Sequence, residues 1–165
     1  MKAKRVTFLG LSIALAMILS FVESQIPALV AIPGIKVGLP NIVMVFLLYR
    51  VGWKETVIVS IIRIILVWML FSGNVMALTF SIAGAVLSLL GMILFKALCG
   101  FSCIAVSIMG GILHNVGQIL AAILWTSTAQ IAYYLPVLLI SGTIAGTLIG
   151  ILGGMMVKRM ERWRF

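Results

Sequence analysis

Hydrophobic positions in this chain neither alternate at a strand period nor keep to one helical stripe. They come in long runs separated by short polar or glycine-containing breaks. The first run covers about 6–24 and closes on Glu23 and Gln25. The segment after it, "IPALVAIPGIKVGLP", is still apolar, but Pro27, Pro33 and Pro40 each remove a backbone donor. A structured loop over Gln25–Pro40, lying against protein rather than lipid, is expected there in place of a helix. The remaining runs predict helices over about 40–51, 55–71, 76–95, 103–124 and 131–157. They are separated by the basic turn Arg50–Lys54, by Ser72–Gly73–Asn74, by Lys96 with the Gly/Cys turn after it, and by the polar stretch Trp125–Gln130. The second helix is short: roughly 11 residues reach about 17 Å, against about 30 Å of hydrocarbon. It must be shielded by neighbours or extended by the loop before it.

Composition decides the solvent. Of 165 residues, 64% are hydrophobic and 9% charged, where a soluble domain carries about a quarter charged. The expected fold is therefore an all-α integral membrane protein, one transmembrane domain over 1–165 with six spans, in the cell membrane as a multi-pass protein. The net charge is +9, from twelve Lys and Arg against three acids. The basic residues lie in short clusters between the runs: Lys2, Lys4 and Arg5; Arg50 and Lys54; Lys96; and Lys158, Arg159, Arg162 and Arg164. All of these fall on one side only if the chain crosses six times, which places both termini and the basic loops in the cytoplasm against anionic lipid. The outer segments then carry only Lys36 and Glu23, and Trp68, Trp125, Tyr133 and Tyr134 fall near the outer interface. No nucleic-acid partner is expected from a charge distributed in this way. Lys2–Arg5 and the run behind them have the polarity of a signal peptide, but no small-x-small cleavage site follows, so a retained anchor is expected. Cys99 and Cys103 make neither a lasting cytoplasmic disulfide nor, by themselves, a zinc site.

Several residues stand out against the apolar background. Gly142, Gly146, Gly150 and Gly154 recur every fourth position and form a bare ridge on the last helix. A second backbone can approach such a ridge closely; packing inside the chain is the plainer reading, a partner helix the sharper one. Ser12, Ala16 and Ser20, with Gly10 and Ala14 beside them, give the first helix a small-residue face open to the same two readings. Arg63 sits mid-span in the third helix, where an unpaired charge costs about 2.5–3.5 kcal/mol on insertion scales. It should face the bundle, either in an internal pair or on a ligand. On the fifth helix, "GGILHNVGQ" puts His114 and Gln118 on one face with Asn115 on an adjoining stripe, which fits a polar pocket wall or an interhelical hydrogen bond. Glu23, Lys36, Asn41 and Asn74 map to the outer half, so that with Arg63 and His114 they are candidates for one outward-facing cavity. The chain has no aspartate and three glutamates, hence no paired carboxylates to hold Mg²⁺ and a diphosphate. It also has no Walker-type glycine loop and no triad. Catalysis, a cofactor and a metal site are not expected.

The segment "IPGIKVGLPNIVMVFLLYRVGWKE", followed by the Arg63 helix and the "HNVGQ" helix, resembles the Gx transporter family, whose members are often labelled heptaprenyl diphosphate synthase component I. These in turn are similar to the substrate-binding S components of energy-coupling factor transporters. The resemblance covers about Val6–Val157. It implies a six-helix S component that captures a small molecule from outside under the loop after its first helix. It also implies docking through that helix onto a transmembrane T component driven by ATPase subunits. The family's docking face commonly shows Ala-x-x-x-Ala; here the nearest matches are Ser12 to Ala16 and Ala16 to Ser20. The synthase label implies a different role, a non-catalytic membrane subunit associated with isoprenoid diphosphate or quinone synthesis.

Overall fold

The structure, a computed structural model, describes residues 2–25 and 38–160. Six α-helices follow in order: α1 (Lys2–Gln25), α2 (Asn41–Arg50), α3 (Trp53–Val67), α4 (Val75–Cys99), α5 (Cys103–Thr126) and α6 (Leu135–Arg159). A π-helical turn, Trp68–Ser72, prolongs α3, and a 3-10 stretch, Ala129–Tyr134, leads into α6. No strand occurs among the described residues. Most of the expected loop, with Pro27, Pro33 and Lys36, lies outside them. The helices overrun the apolar runs: α3 starts at Trp53 rather than Glu55, α4 reaches Cys99 rather than 95, and α5 reaches Thr126. Charged and polar residues at a helix end still donate and accept along the helix, so the end of hydrophobicity is not the end of the helix. What stops α4 is Gly100, whose φ of 58° is left-handed and whose N–H returns to the Lys96 carbonyl.

Four helices, α1, α4, α5 and α6, are long and apolar enough to cross a membrane. Their large side chains point outward, with Leu98 73% and Leu124 81% exposed. Water would oppose such a surface, and lipid solvates it. Hydroxyls on these helices are satisfied locally. Ser12 donates to the Phe8 carbonyl (2.9 Å), Thr143 to Leu139 (2.8 Å) and Thr147 to Thr143 (2.7 Å), so these hydroxyls are not presented bare to hydrocarbon. The chain is a helical membrane protein.

The short helix is the centre of the bundle. Val43, Met44, Val45, Phe46, Leu47 and Leu48 are buried without interruption, which requires neighbours on every side. Val43, Met44, Phe46 and Leu47 pack with Ala16 of α1 and Val59 of α3. Val45 and Leu48 pack with Leu89 and Met92 of α4, Val106 of α5 and Ile149 of α6. The remaining five helices thus surround α2, and α4–α5 and α5–α6 are the most extensive pairs. The close pairs are built on glycine. A Cβ on Gly142 would stand 2.9 Å from the Gly111 carbonyl oxygen, one on Gly146 2.7 Å from Ile108 Cα, and one on Gly150 2.6 Å from Ile104 Cα. The ridge on α6 therefore lies against the α5 backbone; Gly154, at its end, has only Cys103 Cβ near, at 3.6 Å.

Basic residues gather at one end of the bundle. Arg5 of α1 pairs with Glu55 of α3. Arg50 Nη2 donates to the Met160 carbonyl at 2.9 Å, just past the end of α6. Lys96 donates to the Leu48 carbonyl in the last turn of α2 and sits 4.8 Å from the centre of the Tyr49 ring. Cations at helix C-termini oppose the negative end of the helix dipole and satisfy carbonyls that have no partner within the helix. The start of α1 and the end of α6 share this end.

Candidate functional site

The geometry of the site follows from the length of α2. Ten residues rise about 15 Å, whereas helices of 24 or 25 residues rise about 37 Å. At the basic end α2 closes in the last turn near Lys96, so it fills that half of the ring. Its other end stops level with the middle of α6, because Gly38 lies against Ile149 and Val45 against Gly153. Beyond Asn41, no described helix occupies the middle of the ring.

Two sets of polar side chains lie at this level and above it, one on α1 and α3 and one on α5. Arg63 follows the inward stripe of Thr56, Val59 and Ser60 on α3. Its Nη1 donates to Ser20 Oγ on α1 at 3.3 Å, and its Nε is buried without a partner. Ser20 in turn donates to the Ala16 carbonyl at 2.9 Å. One turn further along α1, a carboxylate oxygen of Glu23 accepts the Gly38 N–H, close enough to act electrostatically on Arg63. Glu23 thereby ties the end of α1 to the turn that starts α2. In that turn the Asn41 N–H donates to the Gly38 carbonyl at 2.8 Å, and the half-buried Asn41 amide packs on Gly38.

Across the ring, α5 contributes the other group. The His114 imidazole lies over Gly84 of α4, where a Cβ would meet the ring at 2.8 Å. Gln118, one turn further out on the same face, is buried and its Oε1 has no partner. Asn115 points to α6, where its Nδ2 donates to the Leu138 carbonyl at 2.6 Å. That bond is the interhelical contact anticipated as one of two readings, and it leaves Asn115 a packing role.

The other predicted residues divide clearly. Asn74 is exposed and its Oδ1 accepts the Met76 N–H at 2.8 Å as the N-cap of α4, so it lies apart from the cluster. Lys36 lies outside the described residues. Ser12 and Ala16, 6% and 0% exposed, face α2 and the bundle interior. Their small size serves packing within this chain, and with Ser20 turned to Arg63 the stripe is not on a free surface. On α1, Gly10 is exposed, with open space where its Cβ would be.

Trp68 differs from expectation. It is half-buried, with its indole nitrogen buried and unpaired, whereas Trp125 and Tyr133 are 51% and 84% exposed. Nothing in the sequence separates these aromatics, since all sit near helix ends. Gly84 was also missed; only its place opposite His114 gives it meaning. An open apolar groove of about 310 Å³ between α4 and α5, lined by Thr79, Ile82, Ala83, Ala121, Leu124 and Trp125, belongs to the outward lipid-type surface.

Chemically, α1 and α3 offer a cation with a hydroxyl and a nearby carboxylate, and α5 offers a buried amide and an imidazole packed against α4. Among the described residues no three His, Cys, Asp or Glu side chains are grouped to hold a metal. Neither the curated proteins nor the solved structures contain a match to the chain. The family model described as heptaprenyl diphosphate synthase component I matches residues 12–156, from within α1 to near the end of α6, and the chain belongs to that family.

Proposed function

We propose that this chain is the substrate-binding membrane subunit of a multi-subunit system. It crosses the membrane six times with both ends in the cytoplasm, captures a small molecule in the space beyond Asn41, and passes it inward with partner subunits. The observation that carries this is the half-length central helix. It closes the basic end of the ring with side chains buried on all sides, and it leaves the opposite half to Arg63, Ser20, Glu23, His114 and Gln118. Intramembrane ionisable groups are rare and mark ligand or ion paths. The resemblance drawn from the "IPGIKVGLPN" segment and the "HNVGQ" helix extends this reading to a transmembrane T component and ATPases as partners, with no catalysis in this chain. The test is native mass spectrometry of the tagged protein released gently from its membrane. A retained small molecule, lost on Arg63→Gln together with Gln118→Ala, and co-released transporter subunits are expected. A chain that carries no small molecule and brings no ATPase subunit would end the proposal.

The family description favours a second reading, a membrane component working with a prenyl diphosphate synthase. With no aspartate, the chain lacks the metal-binding carboxylates such chemistry needs, so its role there would be non-catalytic. Release of a soluble prenyl synthase with the tagged chain, in place of ATPases, would select this reading.

A further inference from the structure

Three buried polar atoms on the helices around α2 have no hydrogen-bond partner within the protein: Arg63 Nε, Trp68 Nε1 and Gln118 Oε1. Two are donors, Arg63 on α3 and Trp68 in the π-helical turn that prolongs it, and the first belongs to a guanidinium, which stays charged in any protein setting. Among the described residues, the hydrogen bond made by Arg63 goes to a neutral hydroxyl, that of Ser20. Its nearby carboxylate, Glu23, is already engaged by the Gly38 N–H. Leaving a cation so weakly matched inside a membrane protein is unfavourable unless an acceptor arrives from elsewhere.

Resting on the reading of this space as a ligand site, we propose that its ligand carries a carboxylate or a phosphate. Arg63 receives that group, with the Trp68 indole N–H as the unused donor further along the same helix. Gln118, on α5 across the ring, accepts from a hydroxyl or amine elsewhere on the molecule. Glu23 is the resting counter-charge and competes with the incoming anion.

The test uses the full chain in phosphatidylcholine nanodiscs and follows thermal unfolding with four probes of matched size: benzoate, phenyl phosphate, benzamide and benzylamine. At about ten times its dissociation constant, at least one anion raises the melting temperature by about 3 °C, and the amide and the amine do not. Arg63→Gln weakens that binding at least about tenfold, Arg63→Lys keeps part of it, and Glu23→Gln tightens it. If Arg63→Gln fails to fold, the comparison of probes on the unaltered chain still decides. An equal shift with benzamide overturns the anionic class and leaves a ligand site standing, whereas no shift with any probe overturns both. A parallel arm replaces the probes with phosphatidylglycerol in the nanodisc. A rise there that Arg63→Gln abolishes, with none from the soluble anions, keeps the anion site but assigns it to a lipid headgroup and overturns capture of a soluble molecule.

Discussion

Asn115 shows how one polar side chain joins two helices where water is absent. Its Nδ2 donates to the Leu138 carbonyl at 2.6 Å, and that carbonyl also accepts from Ser141 Oγ at 3.0 Å. Removing the amide therefore does not orphan the acceptor. Hydrogen bonds between membrane helices average about 0.6 kcal/mol, and Asn115→Ala is expected to lower stability by about that amount in a reversible detergent-unfolding titration. Asn115→Asp should lose more, because an ionised carboxylate cannot donate and would face a carbonyl oxygen in a buried site. Equal losses from the two variants would remove the hydrogen bond from the explanation. This residue was legible in the sequence as an amide within an apolar run, and so was Arg63. Which amide reaches a carbonyl and which one stays unpaired was not, since Asn115 and Gln118 differ only in the neighbour that each meets. The half-burial of Trp68 was not legible for a related reason: a tryptophan near a helix end has the same signature whether its ring faces headgroups or the bundle.

Helices pair here by the approach of their backbones. Glycines at spacing four made the ridge on α6 readable, and the structure adds where each one bears. A Cβ on Gly111 of α5 would come 2.4 Å from the Gly142 carbonyl oxygen, whereas one on Gly154 would meet Cys103 Cβ at an ordinary 3.6 Å. Backbone cannot step aside as a side-chain tip can, so α5 and α6 must separate to accept Gly111→Ala. Overpacking of that kind costs about 1–3 kcal/mol, while Gly154→Ala meets no clash and should gain up to about 1 kcal/mol from helix propensity. Melting temperatures of the two variants in one detergent give the comparison, and equal values would mean that the ridge does not set the approach of α5 to α6. The place of α2 was legible only as far as a helix too short to span, which had to be shielded by neighbours or extended by the loop before it. Six successive apolar residues, Val43–Leu48, leave no polar face, which is the pattern of a helix buried all round. The π-helical turn Trp68–Ser72 left no trace in the residue pattern, because it changes backbone hydrogen bonding without changing which residues are apolar.

At the scale of the whole molecule, charge and shape give the same orientation. Arg5, Arg50, Lys96 and the end of α6 converge on the end that α2 closes, and Arg63, Glu23 and His114 belong to the other half. Basic residues stay on the cytoplasmic side during insertion, so the open side is expected to face out, as a capturing subunit requires. Trp53 at the basic end and Tyr133 at the other are 53% and 84% exposed, and neither is part of the polar cluster. With Cys99 and Cys103 replaced by serine, Tyr133→Cys should react with a membrane-impermeant maleimide on intact cells, and Trp53→Cys only after permeabilisation. The reverse pattern would turn the open side inward and end capture from outside. Reaction of both on intact cells would mean that the chain between them does not cross an odd number of times, and the six-span arrangement would fail with it.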